Sequence, residues 1–192
     1  MNLPNKLTVL RMALIPVFLI FMFADAIPWR YLWAAAVFGA ASFTDYLDGN
    51  IARRDGLVTN FGKLMDPLAD KLLVFSALIC FIPLGRASAL GVFVILAREL
   101  LVTSVRLIAA EHGAVIAADK LGKLKTVFQI IWVLYTLFAM WVTWDILPPS
   151  PHSYSVQFFI GDVVLQLVVV VLTLLSGWNY IWKNRGLFDD IR

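Results

Sequence analysis

The chain has 192 residues, of which 61% are hydrophobic and 15% charged, with a formal net charge of +3. A mean hydropathy of +0.83 is too apolar for a water-soluble domain. The lone cysteine, Cys80, excludes an intrachain disulfide, and the modest positive charge fits membrane orientation and phosphate handling before nucleic-acid binding.

Apolar windows close to 20 residues long, the length that crosses a bilayer core, predict an all-α integral membrane protein with six transmembrane helices in a single domain, 1–192. The first helix is expected over residues 7–24. Its basic start and apolar core superficially resemble a signal peptide, but no small-x-small cleavage site follows, so it reads as a retained helix. The second covers 31–53, where Ala34, Ala35, Ala36, Gly39, Ala40 and Ala41 would allow close packing. The third covers 64–84. Asp66 precedes Pro67, which disfavours helical geometry at Asp66 and leaves open whether that helix begins earlier or kinks there. The fourth, fifth and sixth cover 88–110, 122–144 and 156–182. Pro28, Pro83 and the segment PPSPH at 148–152 mark turns. His112 reads as a surface loop residue, and the tail 186–192 carries no functional motif.

Assigning cations to the two sides of such a bundle puts Lys6, Arg11, Arg53, Arg54, Lys63, Lys71, Arg106, Lys120, Lys123, Lys125, Lys183, Arg185 and Arg192 on one side. Only Arg30 and Arg86 fall on the other, with Arg98 inside the fourth helix. Cytoplasmic loops carry the excess of Lys and Arg, so both termini are expected in the cytoplasm, in a multi-pass protein of the cell membrane. Trp29, Trp33, Trp141 and Trp144 then lie at the outer interface, and Trp178 and Trp182 at the inner one.

The segment SFTDYLDGNIARRDGLVTNFGKLMDPLADK, residues 42–71, holds Asp45, Asp48, Asp55, Asp66 and Asp70. Carboxylates at a membrane edge are costly and need a reason. Asp45 and Asp48 are three apart and Asp66 and Asp70 four apart, so each pair shares a helix face. The short loop between them suggests that the second and third helices are antiparallel neighbours. Four crowded carboxylates need counter-charge. Two hard divalent cations, Mg²⁺ or Mn²⁺, supply it and clamp the oxygens of a phosphoryl-transfer substrate. Gly49 and Gly62 leave room beside the acids, and Arg53 sits one turn on, suited to a phosphate. Asp55, beside Gly56, reads as an ordinary loop residue.

The pattern Asp45-x-x-Asp48-Gly49-x-x-Ala52-Arg53, eight residues, Gly62-x-x-x-Asp66-x-x-x-Asp70 resembles the complete motif of the CDP-alcohol phosphatidyltransferase family, with no fixed position missing. The resemblance implies the CDP-alcohol phosphotransferase fold. It implies Asp45, Asp48 and Asp66 as ligands of a binuclear metal site, and Asp70 as general base and further ligand. It also implies Gly49, Ala52, Arg53 and Gly62 as the floor for the CDP moiety, and attack of an alcohol on the β-phosphorus of CDP-diacylglycerol with release of CMP. A homodimer in the lipid bilayer is implied as well.

The motif does not name the alcohol. On a wheel of the fourth helix Glu99, Thr103 and Arg106 share a stripe with Arg98 beside it, and an arginine that deep should face a polar cavity or pair with an acid such as Glu99. The fifth helix opens with Lys120, Lys123, Lys125, Thr126 and Gln129. Such cations suit an anionic acceptor, glycerol 3-phosphate or an inositol phosphate, better than choline or ethanolamine. The strings ARELLVTSVR, LGKLKTVFQ and NLPNKLTVLRMALIP resemble the glycerol 3-phosphate-using bacterial members of the family. That resemblance implies an acceptor-phosphate set of Arg98, Arg106, Lys125, Arg11 and Thr126. It also brings Asn5 and Thr8 to the CDP side of the site; the alternative for this opening is an interfacial anchor. Competing expectations are phosphatidylglycerol as acceptor and, from another class, a divalent-cation transporter, which would favour acids nearer the midplane on several helices.

Overall fold

The computed structural model describes the backbone of residues 3–55, 60–111, 120–147, 153–183 and 185, and the side chains of 8–44, 68–69, 71–109, 120–147, 156–183 and 185. Among these residues the chain is helical throughout, without strands. The helices are α1 (Leu3–Phe23), α2 (Arg30–Asp55), α3 (Asn60–Phe81), α4 (Ala89–Glu111), α5 (Lys120–Trp141) and α6 (Ser153–Lys183). A π-helical turn, Val142–Ile146, carries α5 past its expected end.

Two of the boundaries that differ from the sequence expectation bear on the acidic segment. α2 runs through Asp55, which therefore lies on the last helical position and not in mid-loop; the glycine that follows it is the residue type that ends a helix most readily. α3 starts at Asn60, six residues before Asp66, so Pro67 falls inside the helix. Pro28 and Pro83 lie in turns as expected. Trp29, beside Pro28, has a φ of +56°, a conformation that costs energy for a bulky residue, and its backbone N–H donates to Asp145 Oδ1 at 3.3 Å. Among the described residues the other left-handed one is Gly85, which bears no Cβ to strain (φ +67°). Segment 148–152, His112 and the tail 186–192 lie outside the described residues.

α1 packs along both α2 and α3, α2 also meets α5, and α6 covers α4 and α5. Direct contact between α2 and α3 is slight among the described residues, so α1 is their main shared neighbour. On α2 the buried positions are Tyr31, Ala34, Phe38 and Ala41, spaced three, four and three apart, which is one inward stripe of a helix. Phe18 of α1 meets Phe38 with ring centroids 6.1 Å apart. Of the small residues expected to pack, Ala34 and Ala41 do so, whereas Ala36 and Ala40 face outward.

α6 reverses the usual pattern. Its buried stripe is Asp162, Gln166, Val169, Thr173, Ser176 and Tyr180, mostly polar. Its outward face is Val164, Leu167, Val171, Leu174, Leu175 and Trp178, each more than half exposed. Water would not solvate a face of that kind without aggregation. Among the described residues two stretches, Lys120–Ile146 and Val156–Lys183, are long and apolar enough to cross a membrane, while the apolar stretches Thr8–Phe23 and Lys71–Phe81 are shorter.

The polar stripe is satisfied by its neighbours. Arg86 Nη1 donates to Asp162 Oδ2 at 3.2 Å, and Thr136 donates its hydroxyl to Asp162 Oδ1 at 2.6 Å. Gln166 Nε2 donates to Ser88 Oγ at 2.7 Å, and that oxygen accepts the Gly91 N–H at 3.1 Å, capping the start of α4. Asp162 is fully buried, so its charge is tolerated only because Arg86 and Thr136 reach it. Asp162→Asn keeps the shape but removes the charge-assisted bond. Thermal unfolding in detergent should show a loss of about 1.5–3 kcal/mol, the worth of a hydrogen bond to a charged group; an unchanged melting midpoint would show that the pair adds no stability.

Candidate functional site

Asp45, Asp48, Gly49, Ala52 and Arg53 fall on α2, Gly62, Asp66 and Asp70 on α3, and Asn5 on α1. Their side chains lie outside the described residues. Unbroken helix over both aspartate pairs preserves the three- and four-residue spacings that put each pair on one face. Four carboxylates are a hard-oxygen donor set, and Mg²⁺ or Mn²⁺ fits it chemically. Among the described residues no other group of three or more His, Cys, Asp or Glu is placed to hold a metal.

Thr8 and Arg11 are both buried in α1, at 1% and 2% exposure. An interfacial anchor would leave such side chains in contact with solvent or headgroups, so their burial speaks against that alternative for α1.

The best-described functional geometry lies where α3, α4 and α5 converge. Glu99 of α4 is surrounded by three cations from three helices. Lys125 Nζ of α5 donates to its Oε1 at 2.5 Å, Arg98 Nη1 donates to the same oxygen at 3.0 Å, and Lys71 Nζ of α3 stands 3.7 Å from Oε2. Lys125 is itself buried, at 1% exposure. An ammonium removed from water is costly unless it is paired, and among the described residues these three cations share the one carboxylate of Glu99.

A cavity adjoins these cations. Its volume is about 170 Å³, and it is lined by Lys71 from α3, Arg98, Glu99, Thr103 and Arg106 from α4, Gly122, Lys123 and Thr126 from α5, and Tyr180 from α6. Arg106 stacks over the Tyr180 ring, its guanidinium carbon 5.6 Å from the centroid. A Cβ at Gly122 would make only ordinary contact with the wall, 3.5 Å from Arg98 Nη2. Lys71 follows Asp70 directly in α3, so the cavity reaches to within one residue, about 3.8 Å between successive Cα atoms, of the last motif aspartate.

The expected stripe of Glu99, Thr103 and Arg106 with Arg98 beside it lines this cavity, and the two readings of Arg98, cavity-facing and paired with Glu99, both hold. Lys125 differs in detail. It reaches the basic cavity only through Glu99, and lines a smaller void with Lys71, Val74, Phe75, Glu99, Thr126 and Gln129. Thr126 lines both cavities, but its hydroxyl donates to the Gly122 carbonyl at 3.1 Å, so it must rotate before donating to a ligand. Arg11 is not among the lining residues of either cavity. Conversely, the structure adds Lys71 and Tyr180, and gives Lys123 a place in the wall. Lys71 read from sequence as one more inner-side cation, and only its contact with Glu99 across helices singles it out.

The family model described as CDP-alcohol phosphatidyltransferase matches residues 1–182. A Bacillus subtilis (strain 168) protein named CDP-diacylglycerol–glycerol-3-phosphate 3-phosphatidyltransferase is 45% identical over 194 aligned positions, covering 95% of each chain. A Rickettsia bellii (strain RML369-C) protein of the same name is 34% identical over 187 positions, covering 97% of each. A motif without a missing position, a match over nearly the full length and two such relatives lead to one conclusion: the chain belongs to the CDP-alcohol phosphatidyltransferase family.

Proposed function

We propose that this protein transfers the phosphatidyl group of CDP-diacylglycerol to sn-glycerol 3-phosphate, giving phosphatidylglycerophosphate and CMP. The observation that carries the acceptor assignment is the cluster of Lys71, Arg98 and Lys125 around Glu99 beside the 170 Å³ cavity. Among the described residues its cations outnumber its one carboxylate, which suits a phosphate monoester, carrying about −1.5 to −2 at neutral pH. A phosphodiester such as phosphatidylglycerol carries one charge and matches less well. The names of the relatives in Bacillus and Rickettsia support the same acceptor.

In this reading Gly49, Ala52, Arg53 and Gly62, with Asn5 and Thr8, hold the CDP moiety, and Asp45, Asp48, Asp66 and Asp70 hold the metal. Mg²⁺ or Mn²⁺, when bound, neutralises charge on the pyrophosphate oxygens. Lys71, Arg98, Arg106 and Lys123 fix the acceptor phosphate. The acceptor hydroxyl gives its proton to the Asp70 carboxylate as its oxygen bonds to the β-phosphorus. The bond from that phosphorus to the bridging oxygen breaks, and CMP leaves with the electron pair.

The same reading places the chain as six spans in the cell membrane, with both termini and the active site on the cytoplasmic side. The outward apolar and inward polar faces of α6 support a lipid surround, and the split of thirteen cations to two supports the orientation. Family membership supports a homodimer. The donor's acyl chains stay in the bilayer while its headgroup reaches the carboxylates at the edge.

Purified protein in detergent with Mg²⁺ and CDP-diacylglycerol should release CMP with glycerol 3-phosphate, and not with phosphatidylglycerol, inositol phosphate, inositol or serine offered separately. Turnover with another alcohol would remove the acceptor assignment and keep the chemistry; no CMP with any acceptor would remove both.

A further inference from the structure

A second cavity of about 330 Å³, in the size range of small-ligand sites, lies between α4 and α6. Leu101, Val102 and Val105 form one wall and Gly177 and Ile181 the other, and it shares Arg98, Val102 and Tyr180 with the basic cavity. Arg98 crosses from one to the other. Its aliphatic stem runs past Gly177, where an added Cβ would stand 3.1 Å from Arg98 Cγ, and its guanidinium reaches Glu99. The groove is therefore apolar, opens beside the outward faces of Leu101 and Ile181 (59% and 47% exposed), and ends at the cluster where, among the described residues, three cations surround one carboxylate. Near its α6 side Trp178 and Trp182 stack at 6.1 Å, and Arg185 lies over Trp182 at 4.9 Å, the composition of a headgroup-level rim.

From this continuity of an apolar groove with a basic cavity, we infer that the two form one site for an anionic glycerophospholipid of the surrounding bilayer, an acyl chain lying between α4 and α6 and the headgroup phosphate at the cation cluster. The inference rests on the proposed use of that cluster for the acceptor phosphate. Two anions cannot occupy it together, so the lipid competes with glycerol 3-phosphate. The consequence is restraint of synthesis by anionic lipid already present, acting on acceptor affinity and leaving turnover at saturation unchanged.

A negatively charged bilayer also repels a dianionic substrate, through a surface potential of roughly −30 mV or more, so a rise in KM alone decides nothing. The test uses Val105→Phe, which fills the groove from a position outside the reaction's own machinery, with Ile181→Trp as a second filling variant. In phosphatidylcholine vesicles carrying increasing phosphatidylglycerol, the KM for glycerol 3-phosphate should rise at least threefold more in wild type than in either variant, at equal kcat. Native mass spectrometry of the detergent-solubilised protein should retain phosphatidylglycerol in preference to phosphatidylcholine, and the variants should lose that preference. Equal KM shifts in wild type and variants would assign the effect to surface charge and overturn the proposal, as would equal retention of the two lipids by wild type. Selective retention lost in the variants, from protein that does not use glycerol 3-phosphate, would uphold the lipid site and overturn the acceptor reading alone.

Discussion

Asp70→Asn is expected to lower CMP release by at least a thousandfold while leaving the protein folded. Asparagine has nearly the shape of aspartate but neither its charge nor a site for the transferred proton. Proton acceptance by a positioned group contributes roughly 10²–10⁴ to a rate, and in the proposed mechanism the substitution also removes one of the four carboxylates assigned to the metal, which weakens charge neutralisation at the pyrophosphate. Helix α3 continues eleven residues past Asp70 to Phe81, and Leu73, Ala77, Leu78, Cys80 and Phe81 of that stretch belong to the hydrophobic core, so the helix is anchored by residues other than Asp70. The measurement is single-turnover CMP release, with thermal unfolding as the control for folding. Residual activity above a tenth of wild type, from protein that melts normally, would remove Asp70 from the role of base. Replacing Lys71 beside it with Met should separate the two functions, raising the KM for glycerol 3-phosphate by about 10-fold or more, as loss of one charge-assisted bond does, with a smaller effect on kcat.

How much of this was readable from the residues alone follows from the range of the interactions involved. The motif aspartates are spaced three and four apart, and helix periodicity acts over the same distance, so Asp45, Asp48, Asp66 and Asp70 stand out without a fold. The stripe of Glu99, Thr103 and Arg106 was equally legible, being local to α4. What sequence could not give is which cation from another helix meets that stripe. Lys71, Lys120, Lys123 and Lys125 look alike as inner-side lysines, and only packing buries Lys125 on Glu99, brings Lys71 to the same carboxylate and leaves Lys120 exposed. Arg11 failed the opposite way: its position on α1 was right for an inward face, yet it does not line the cavity formed by α3, α4, α5 and α6. The apolar run of α6 likewise hid its polar stripe. Asp162, Gln166, Thr173 and Ser176 are few among many valines and leucines, and their shared face appears only when the helix is seen against Arg86, Ser88 and Thr136.

Glu99→Ala should destabilise the protein more than Lys125→Met, although the two residues form one ion pair. Removing Lys125 leaves Glu99 with Arg98 and Lys71 still in reach, so its charge stays compensated. Removing Glu99 takes from Lys125, Arg98 and Lys71 the one carboxylate that they share among the described residues, and Lys125 is almost wholly buried. Breaking a buried pair so that one charge is left uncompensated costs about 3–5 kcal/mol, against the far smaller cost of exchanging Lys125 for an apolar side chain of similar length. Thermal unfolding in detergent reads this difference directly. The same asymmetry ties stability to function. If the cluster is built to receive a phosphate, glycerol 3-phosphate replaces the missing carboxylate charge and stabilises Glu99→Ala more than it stabilises wild type. A ligand at 100 times its dissociation constant contributes about 2.7 kcal/mol, enough to restore much of the loss. Glycerol, which has the hydroxyls without the phosphate, should restore none of it. Equal stabilisation of wild type and Glu99→Ala by glycerol 3-phosphate would mean that the acceptor phosphate binds elsewhere and that Glu99 serves only to hold α3, α4 and α5 together.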